Sequence, residues 1–366
     1  MRLDFVEDGA VMDSDKLVIS AISGVTPIGG NIEQTCCAIR AGINLFEEHE
    51  LFECEPFDSE WDPPLPLVAS AYPFNDPLAD GFTRMLDMAI QSLKEIVNNL
   101  KFGRKNLARC GLLIALPEQD KVTDSWQLQE KFINTLCGKT GLSGFSIKDI
   151  VFQGRTGGLE QLQSAMSYIN SGQLDYCIIA GVDSFLADDR IQFFDKNWRI
   201  KSDRSADGFI PGEASVMFAI EKDKTARARG INSRVSIETV AFGHECNAIT
   251  GDKQSTGTGC SEVLDKVMSQ VNATSPIEWT ISDMNGESYT GREWGTVLVR
   301  NTEKFSPNHQ LDHPVDCVGE LGAAMGTLMV SMAVHAFSHD YHKANEVYLT
   351  NSADNGDRAA ALLKQI

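Results

Sequence analysis

The sequence of 366 residues predicts an α/β protein in which sheets are covered by layers of helices. Continuous apolar runs, such as residues 17–23 and 175–181, alternate with segments in which apolar residues recur every three or four positions. The first pattern is typical of strands buried on both faces, and the second is typical of helices. The strand–helix–strand rhythm restarts at about Ser233, which predicts two similar halves in one compact body.

The individual elements follow from these patterns in chain order. Strands rich in Val, Ile and Leu are predicted at residues 17–23, 109–116, 147–152, 175–181, 214–221, 235–242, 279–282 and 346–350. Helices are predicted at residues 32–41, 82–100, 124–137, 157–169, 262–271 and 321–337. The acidic, proline-rich region 47–77 is predicted to cover the surface.

The longest apolar run, residues 321–337, lies near the lower length limit for a membrane span. Because it contains Ser331 and His335, we interpret it as a buried core helix. No membrane association is predicted.

Charge and cysteine content narrow the possible functions. The chain has 32 Lys and Arg against 51 Asp and Glu, a net charge of −19, which disfavours binding to nucleic acid and to anionic membranes. Nine cysteines without a C-x-x-C pair predict reduced thiols and a cytoplasmic location. Residues 1–16 form a predicted acidic N-terminal extension without the apolar core of a secretory signal.

Four segments together carry a resemblance to a known family. Residues 17–42 (LVISAISGVTPIGGNIEQTCCAIRAG) resemble the first strand, turn and helix of β-ketoacyl synthases, and residues 157–184 resemble the helix after their nucleophile and the following strand. Residues 202–230, with DGFIPGEA, resemble the family's D-G-F-x-x-G-E strand, and residues 320–333 (ELGAAMGTLMVSMA) resemble its Gly-Ala-Ala helix.

This resemblance implies a thiolase-like fold. Its two similar halves, here residues 17–232 and 233–366, pack in an α-β-α-β-α arrangement with mixed sheets. It also implies a dimer, either a homodimer or a heterodimer with a related subunit.

The catalytic residues of that family are replaced in this sequence. The family uses a cysteine nucleophile and two histidines. The matching positions are Arg155 for the cysteine, Asn285 for the first histidine, and Glu320 or Gly319 for the second. A guanidinium stays protonated and cannot act as a nucleophile. We therefore predict a protein without condensing activity that acts as a non-catalytic partner subunit or adaptor.

A buried arginine at the start of a helix needs compensation, because both burial and the helix dipole disfavour a cation there. Glu287 and Glu320 lie in the two loops that replace the histidine motifs and are the predicted partners of Arg155. We predict that these three residues and Asn285 together form a charge-balanced, hydrogen-bonded plug.

The alternative is a rebuilt site for an acyl or coenzyme A thioester. In it Arg155 would hold an anionic group, Glu287 would act as a general base and Asn285 would donate to an oxyanion. A buried apolar cavity of ~300 Å³ or more that leads to Arg155 would favour this alternative.

Other ligands are not predicted. An acyl carrier protein or acyl-coenzyme A is a possible partner, but the negative net charge disfavours docking of an acidic carrier. The glycines at residues 29–30 and 154–158 lack the spacing of nucleotide-binding loops, so no cofactor is predicted. His335, His339 and His342 stand three or four residues apart, and we interpret them as the end of a helix rather than as a metal site.

Overall fold

The computed structural model describes residues 15–55, 63–118, 125–271 and 275–366. The predicted N-terminal extension, residues 1–16, therefore lies almost wholly outside the described residues.

The strands and helices of the described residues alternate along the chain. The strands are β1 (Leu17–Val25), β2 (Glu47–Cys54), β3 (Leu65–Ala69), β4 (Cys110–Ala115), β5 (Ile147–Val151), β6 (Tyr176–Ser184), β7 (Glu213–Lys222), β8 (Val235–His244), β9 (Ile277–Ser282), β10 (Phe305–Asp312), β11 (Glu346–Ser352) and β12 (Asp357–Gln365). The helices are α1 (Ile32–Arg40), α2 (Gly81–Asn99), α3 (Arg104–Leu107), α4 (Ser125–Thr140), α5 (Gly157–Asn170), α6 (Asp188–Lys196), α7 (Asp223–Ala228), α8 (Thr258–Gln270), α9 (Ser288–Arg300), α10 (Val315–Val318) and α11 (Met325–Ser338).

The large mixed sheet consists of two halves with the same strand order. In the first half the order is β1-β7-β6-β4-β5, and in the second it is β8-β12-β11-β9-β10. Numbered within each half, both orders read first, fifth, fourth, second, third. The halves join where Val18 of β1 pairs with Ser236 of β8. The predicted mixed α/β class is confirmed, and the boundary between residues 232 and 233 stays a prediction.

Helices α5 and α11 lie between the two halves of the sheet. Both contact strands of the first and of the second half, and they also contact each other. Their apolar faces, with Leu159, Leu162, Leu328 and Met329, belong to the largest core cluster. On the outer faces, α2 packs against β1 and β7, and α8 packs against β8 and β12. The helix predicted for the apolar run 321–337 is thus a core helix.

No helix in the described parts of the chain has the length and apolar character needed to cross a membrane. Helix α11 runs for 14 residues, and twelve of them are buried within the protein.

The close approach of α11 to the first half of the sheet depends on a glycine in β6. A Cβ atom on Gly181 would collide with the carbonyl oxygen of Ala323 and would lie 2.6 Å from Oγ1 of Thr327. The first of these is a backbone atom, so neither a rotamer change nor a small side-chain shift can relieve the contact.

We expect Gly181→Ala to destabilise the protein by about 2–3 kcal/mol, because an added methyl group overpacks the contact between β6 and the start of α11. Gly138→Ala in α4 is the matched control, since a Cβ there meets no atom within 4 Å. The control should be neutral or more stable by about 0.5 kcal/mol. Urea unfolding of both variants checks this. Equal effects would contradict the proposed packing constraint.

Candidate active site

The sequence-predicted site residues meet at the beginning of the two central helices. Arg155 lies in a 3-10 turn, Gly154–Thr156, that leads directly into α5. Asn285 and Glu287 lie between β9 and α9, and Glu320 lies just before the turn that leads into α11. All four side chains are buried.

Arg155 uses all three nitrogen atoms of its guanidinium group in contacts within the protein. Nε lies 3.2 Å from Oε2 of Glu320, and Nη1 donates to the carbonyl oxygen of Ser352 at 2.9 Å. Nη2 donates to Oδ1 of Asp354 at 2.9 Å. Only 6% of Arg155 is exposed, so its charge is compensated by the protein rather than by solvent.

Asn285 links the two predicted carboxylates. Its Nδ2 atom donates to Glu287 at 2.8 Å and to Glu320 at 2.9 Å. The side chain of Glu320 also accepts a hydrogen bond from the backbone nitrogen of Gly322 at 2.8 Å. A primary amide has two N–H groups, and both of those of Asn285 are therefore used inside the cluster.

Two residues of this cluster were not predicted from the sequence. Arg199 makes a two-pronged contact with Glu287, at 2.7 and 2.8 Å, and contacts Asp354 at 2.5 Å. Glu287 therefore pairs directly with Arg199, and it reaches Glu320 through Asn285. The prediction that Glu287 is a direct partner of Arg155 is not matched by any contact in the described structure, whereas the contact with Glu320 is present.

Asp354 could have been found from a signal in the sequence. It lies in TNSADNGD, the segment that occupies the place of the family's Gly-Phe-Gly-Gly-Thr-Asn loop, and it is the carboxylate of that loop that reaches Arg155. Arg199 has no such signal, because the segment NWRIKSD that contains it carries no recognisable motif.

Of the two alternatives for the second histidine position, only Glu320 contributes a side chain to the cluster. Gly319 has a φ of +73°, a left-handed backbone conformation that glycine tolerates. A Cβ there would lie 2.8 Å from the carbonyl oxygen of Ile210. Gly319 therefore lets the chain turn closely past residue 210 and positions Glu320.

The electrostatics of the cluster favour the charged forms of Arg155 and Asp354. Burial lowers the pKa of Arg155, but the carboxylates of Glu320 and Asp354 outweigh burial and raise the pKa above its usual value. Burial alone would raise the pKa of Asp354, yet the guanidinium groups of Arg155 and Arg199 lower it to about 2. Asp354 is therefore ionised at any physiological pH.

Asp283, which directly follows β9, is a buried carboxyl group near this cluster with a raised pKa. Its Oδ2 atom accepts a hydrogen bond from the backbone nitrogen of Ser352 at 2.7 Å. Burial raises its pKa to about 6, with a further increase from the charge of Glu320 and an opposing effect of Arg155. Burial thus keeps Asp283 protonated up to a higher pH than an exposed aspartate.

The described residues include all nine cysteines and all seven histidines of the chain, and none of them hydrogen-bonds to Arg155, Asn285, Glu287 or Glu320. Cys260 approaches Ser352, the residue whose carbonyl oxygen accepts a hydrogen bond from Arg155. The Sγ atom of Cys260 lies 4.0 Å from Oγ of Ser352. Burial raises the pKa of Cys260 above its usual value, so it is a neutral thiol at neutral pH.

A cavity of about 360 Å³ reaches Arg155 from the surface. Its apolar wall includes Phe152, Phe185, Phe193 and Phe194. Its charged wall consists of the following seven side chains: Glu118, Arg155, Asp183, Asp189, Arg190, Arg199 and Asp354. The cavity has the size and reaches the residue named for the thioester-binding alternative, but it is lined by charged as well as apolar side chains and is open to the surface.

The arginines that line this cavity are already paired. Arg190 contacts Asp183 at 2.5 Å, Arg199 contacts Glu287 and Asp354, and Arg155 contacts Glu320 and Asp354. Each described arginine that lines the cavity therefore already has a carboxylate partner, and for Arg155 and Arg199 all three nitrogen atoms are used.

Solved structures that this chain resembles include several ketosynthases. The oxazolomycin ketosynthase domain from Streptomyces albus matches with a TM-score of 0.76 at 14% identity, over 96% of this chain and 75% of that chain. The ishigamide ketosynthase/chain length factor matches with a TM-score of 0.72 at 14% identity, over 96% and 99%. The chain has the ketosynthase fold.

A third match is a type II polyketide ketosynthase in complex with its acyl-carrier protein, with a TM-score of 0.78 at 12% identity over 97% of this chain and 100% of that chain. No protein-family model matches the chain, and no curated protein matches its sequence. The predicted thiolase-like fold is confirmed. At 12–14% identity the likeness concerns the fold, so the chemistry has to be judged from the residues of the site.

We expect Arg155→Met to destabilise the protein by about 3–5 kcal/mol, because it leaves the buried carboxylate of Glu320 without its cation. Adding Glu320→Gln should recover part of the loss, with a coupling energy of at least about 1 kcal/mol in a double-mutant cycle measured by urea unfolding. The exposed pair Arg109–Asp175, at 2.8 Å, is the control and should couple by less than about 1 kcal/mol. Equal coupling in the two cycles would contradict the assigned role of Arg155.

Asp283→Asn should become more stable relative to the wild type as pH rises from 4 to 7. The pKa of Asp283 in the folded protein, about 6, lies above the ordinary aspartate value of 3.8, so the stabilisation from its protonated form is complete below pH 3.8 and is lost as pH rises through 6. The difference in unfolding free energy should change by about 1–3 kcal/mol.

Asp354→Asn is the control for this measurement. The pKa of Asp354 is lowered to about 2, so its contribution is complete above pH 3.8 and is lost only as pH falls towards 2. Its variant should be less stable than the wild type by a constant amount between pH 5 and 8. If the difference in unfolding free energy between Asp283→Asn and the wild type did not change with pH, the pKa of Asp283 would be the same in the folded and unfolded protein. That result would contradict the raised pKa.

Proposed function

We propose that this chain is a β-ketoacyl-synthase-like protein without condensing activity that serves as a non-catalytic partner subunit or adaptor. The observation that carries the proposal is the state of Arg155. It occupies the turn before α5, where the resemblance places the nucleophile, and every nitrogen of its guanidinium group is engaged by Glu320, Asp354 or Ser352.

The groups around Arg155 do not supply the steps that a condensing enzyme needs. Thioester transfer requires a thiolate, and the cysteine that comes nearest through Ser352 is a buried neutral thiol. Stabilisation of a developing oxyanion requires free hydrogen-bond donors aimed at it. Both N–H groups of Asn285 are directed at carboxylates instead.

A partner role fits what remains of the fold. One of the matching structures is a ketosynthase/chain length factor and another is a ketosynthase bound to an acyl-carrier protein, so proteins of this fold do assemble with other chains. Strand β5 lies at the edge of the sheet and pairs with β4 alone among the described residues. A second subunit could extend the sheet at this edge, and the dimer and the cytoplasmic location stay predictions.

A second candidate function is binding of an acyl or coenzyme A thioester, and the cavity of about 360 Å³ beside Arg155 favours it. Glu287 would then be the base and Asn285 the oxyanion donor. This reading requires the ligand to displace the contacts of Arg199 with Glu287, and of Asn285 with both of its carboxylates.

The experiment that separates the two is incubation of the reduced protein with acetyl-, longer acyl- and malonyl-coenzyme A, followed by intact mass and thermal unfolding. We expect no mass adduct, no loss of carbon dioxide from malonyl-coenzyme A and no shift of Tm. An active β-ketoacyl synthase treated in parallel is the positive control.

An acyl adduct that disappears in Cys260→Ser would overturn the proposal and identify the nucleophile. An adduct on any other cysteine would overturn it as well. A rise of Tm with acyl-coenzyme A but without an adduct would replace it by the binding function.

A further inference from the structure

Helix α1 and the C-terminal end of α11 bring four metal-ligating side chains together, away from the Arg155 cluster. Glu33 and Cys37 are four residues apart on α1, and His335 and His339 are four residues apart at the end of α11. Side chains at this spacing lie on the same face of a helix, one turn apart. The two helices contact each other, so the two pairs face each other.

The distances within this group are close to those of a metal site. Oε2 of Glu33 lies 3.0 Å from Nε2 of His335, and one ligand atom each of Glu33, His335 and His339 lie within 4.8 Å of one another. Sγ of Cys37 lies 4.0 Å from Nε2 of His335. Ligands bound tetrahedrally at the usual zinc distances are roughly 3.3–3.6 Å apart. Glu33, His335 and His339 would therefore have to approach one another by up to about 1.5 Å, and Cys37, which lies near His335, would have to turn towards the other two ligands to complete the site.

His339 is held in the tautomer that a metal requires. Nδ1 of His339 lies 2.9 Å from the carbonyl oxygen of His335, which can only accept a hydrogen bond, so Nδ1 carries the proton and Nε2 carries the lone pair. Nε2 of His335 lies 3.0 Å from the carboxylate of Glu33, which also can only accept, so in the metal-free protein Nε2 carries a proton that a bound ion would displace. Nδ1 of His335 lies 3.1 Å from the hydroxyl group of Tyr341, which could then accept its proton. Such outer partners orient histidine ligands in metalloproteins.

We propose that Glu33, Cys37, His335 and His339 form a binding site for a transition metal ion of the Zn²⁺ class. Two imidazoles, a thiolate and a carboxylate suit tetrahedral Zn²⁺ better than Mg²⁺ or Ca²⁺, which prefer sets of oxygen ligands. The charges of Glu33 and a Cys37 thiolate would balance a divalent ion.

Burial gives the site one fixed ligand and three accessible ones. His335 is 4% exposed, whereas Glu33, Cys37 and His339 reach the surface, from which an ion can enter. The nearby cation, Arg40, stacks over the ring of Tyr341 at 4.3 Å. A bound ion would connect α1 in the first half of the chain with α11 in the second.

The test is titration of untagged, chelator-treated, reduced protein with Zn²⁺ by calorimetry and with Co²⁺ by absorption. We expect one ion per chain, a rise of Tm with Zn²⁺, and a thiolate-to-cobalt charge-transfer band. His339→Ala, Glu33→Gln and Cys37→Ser are surface changes that leave the core intact. Each should weaken Zn²⁺ binding at least about tenfold, and Cys37→Ser should remove the charge-transfer band.

Cys246→Ser and His244→Ala are the matched controls, because both side chains are exposed and lie outside the site. They should bind Zn²⁺ like the wild type. Tyr341→Phe removes only the outer partner of His335 and should weaken binding about 10–100-fold.

Absence of stoichiometric binding would overturn the proposal, as would binding that is unchanged in His339→Ala. A Co²⁺ complex without a thiolate band would overturn the site as composed here, since it would exclude Cys37. None of these outcomes depends on whether the Arg155 cluster is catalytic.

Discussion

The positive charge of Arg155 has to be neutralised inside the protein, and the residues around it are arranged by that requirement. It lies at the beginning of α5, where the helix dipole already places partial positive charge, and it is almost completely shielded from water. Glu320 and Asp354 compensate it directly. These carboxylates in turn contact Asn285 and Arg199, so one arginine commits these four side chains to a single electrostatic network.

This network is chemically saturated, which is why it fits a structural role better than a catalytic one. Catalytic groups work when a lone pair, a proton or a donor is held ready for the substrate. Here the guanidinium of Arg155, the amide of Asn285 and the backbone nitrogen of Gly322 all point at carboxylates of the same cluster. Opening the site to a ligand would leave buried charges without partners, at a cost of several kcal/mol for each.

The sequence predicted the buried elements well, because their patterns are strong. Strands β2, β10 and β12 were not predicted, each for a different reason. Strand β2 (EEHELFEC) is largely exposed and acidic, and β10 (FSPNHQLD) is a polar strand at the edge of the sheet. The sequence of β12 (DRAAALLKQ) favours a helix by propensity and is held as a strand by pairing with β8 and β11. In the site, residues near recognisable motifs were found, whereas Arg199 lies in a segment with no motif.

Helix α11 shows how the same electrostatic rule applies at both ends of one buried element. Its beginning is preceded by Glu320, whose carboxylate accepts from the backbone nitrogen of Gly322 and suits the positive end of the dipole. Its last turn carries His335 and is capped by His339, which leave ring nitrogens near the negative end. A cation bound there would be favoured by the dipole. Arg155 is the exception to this rule at the start of α5, and it needs carboxylates from two other loops for that reason.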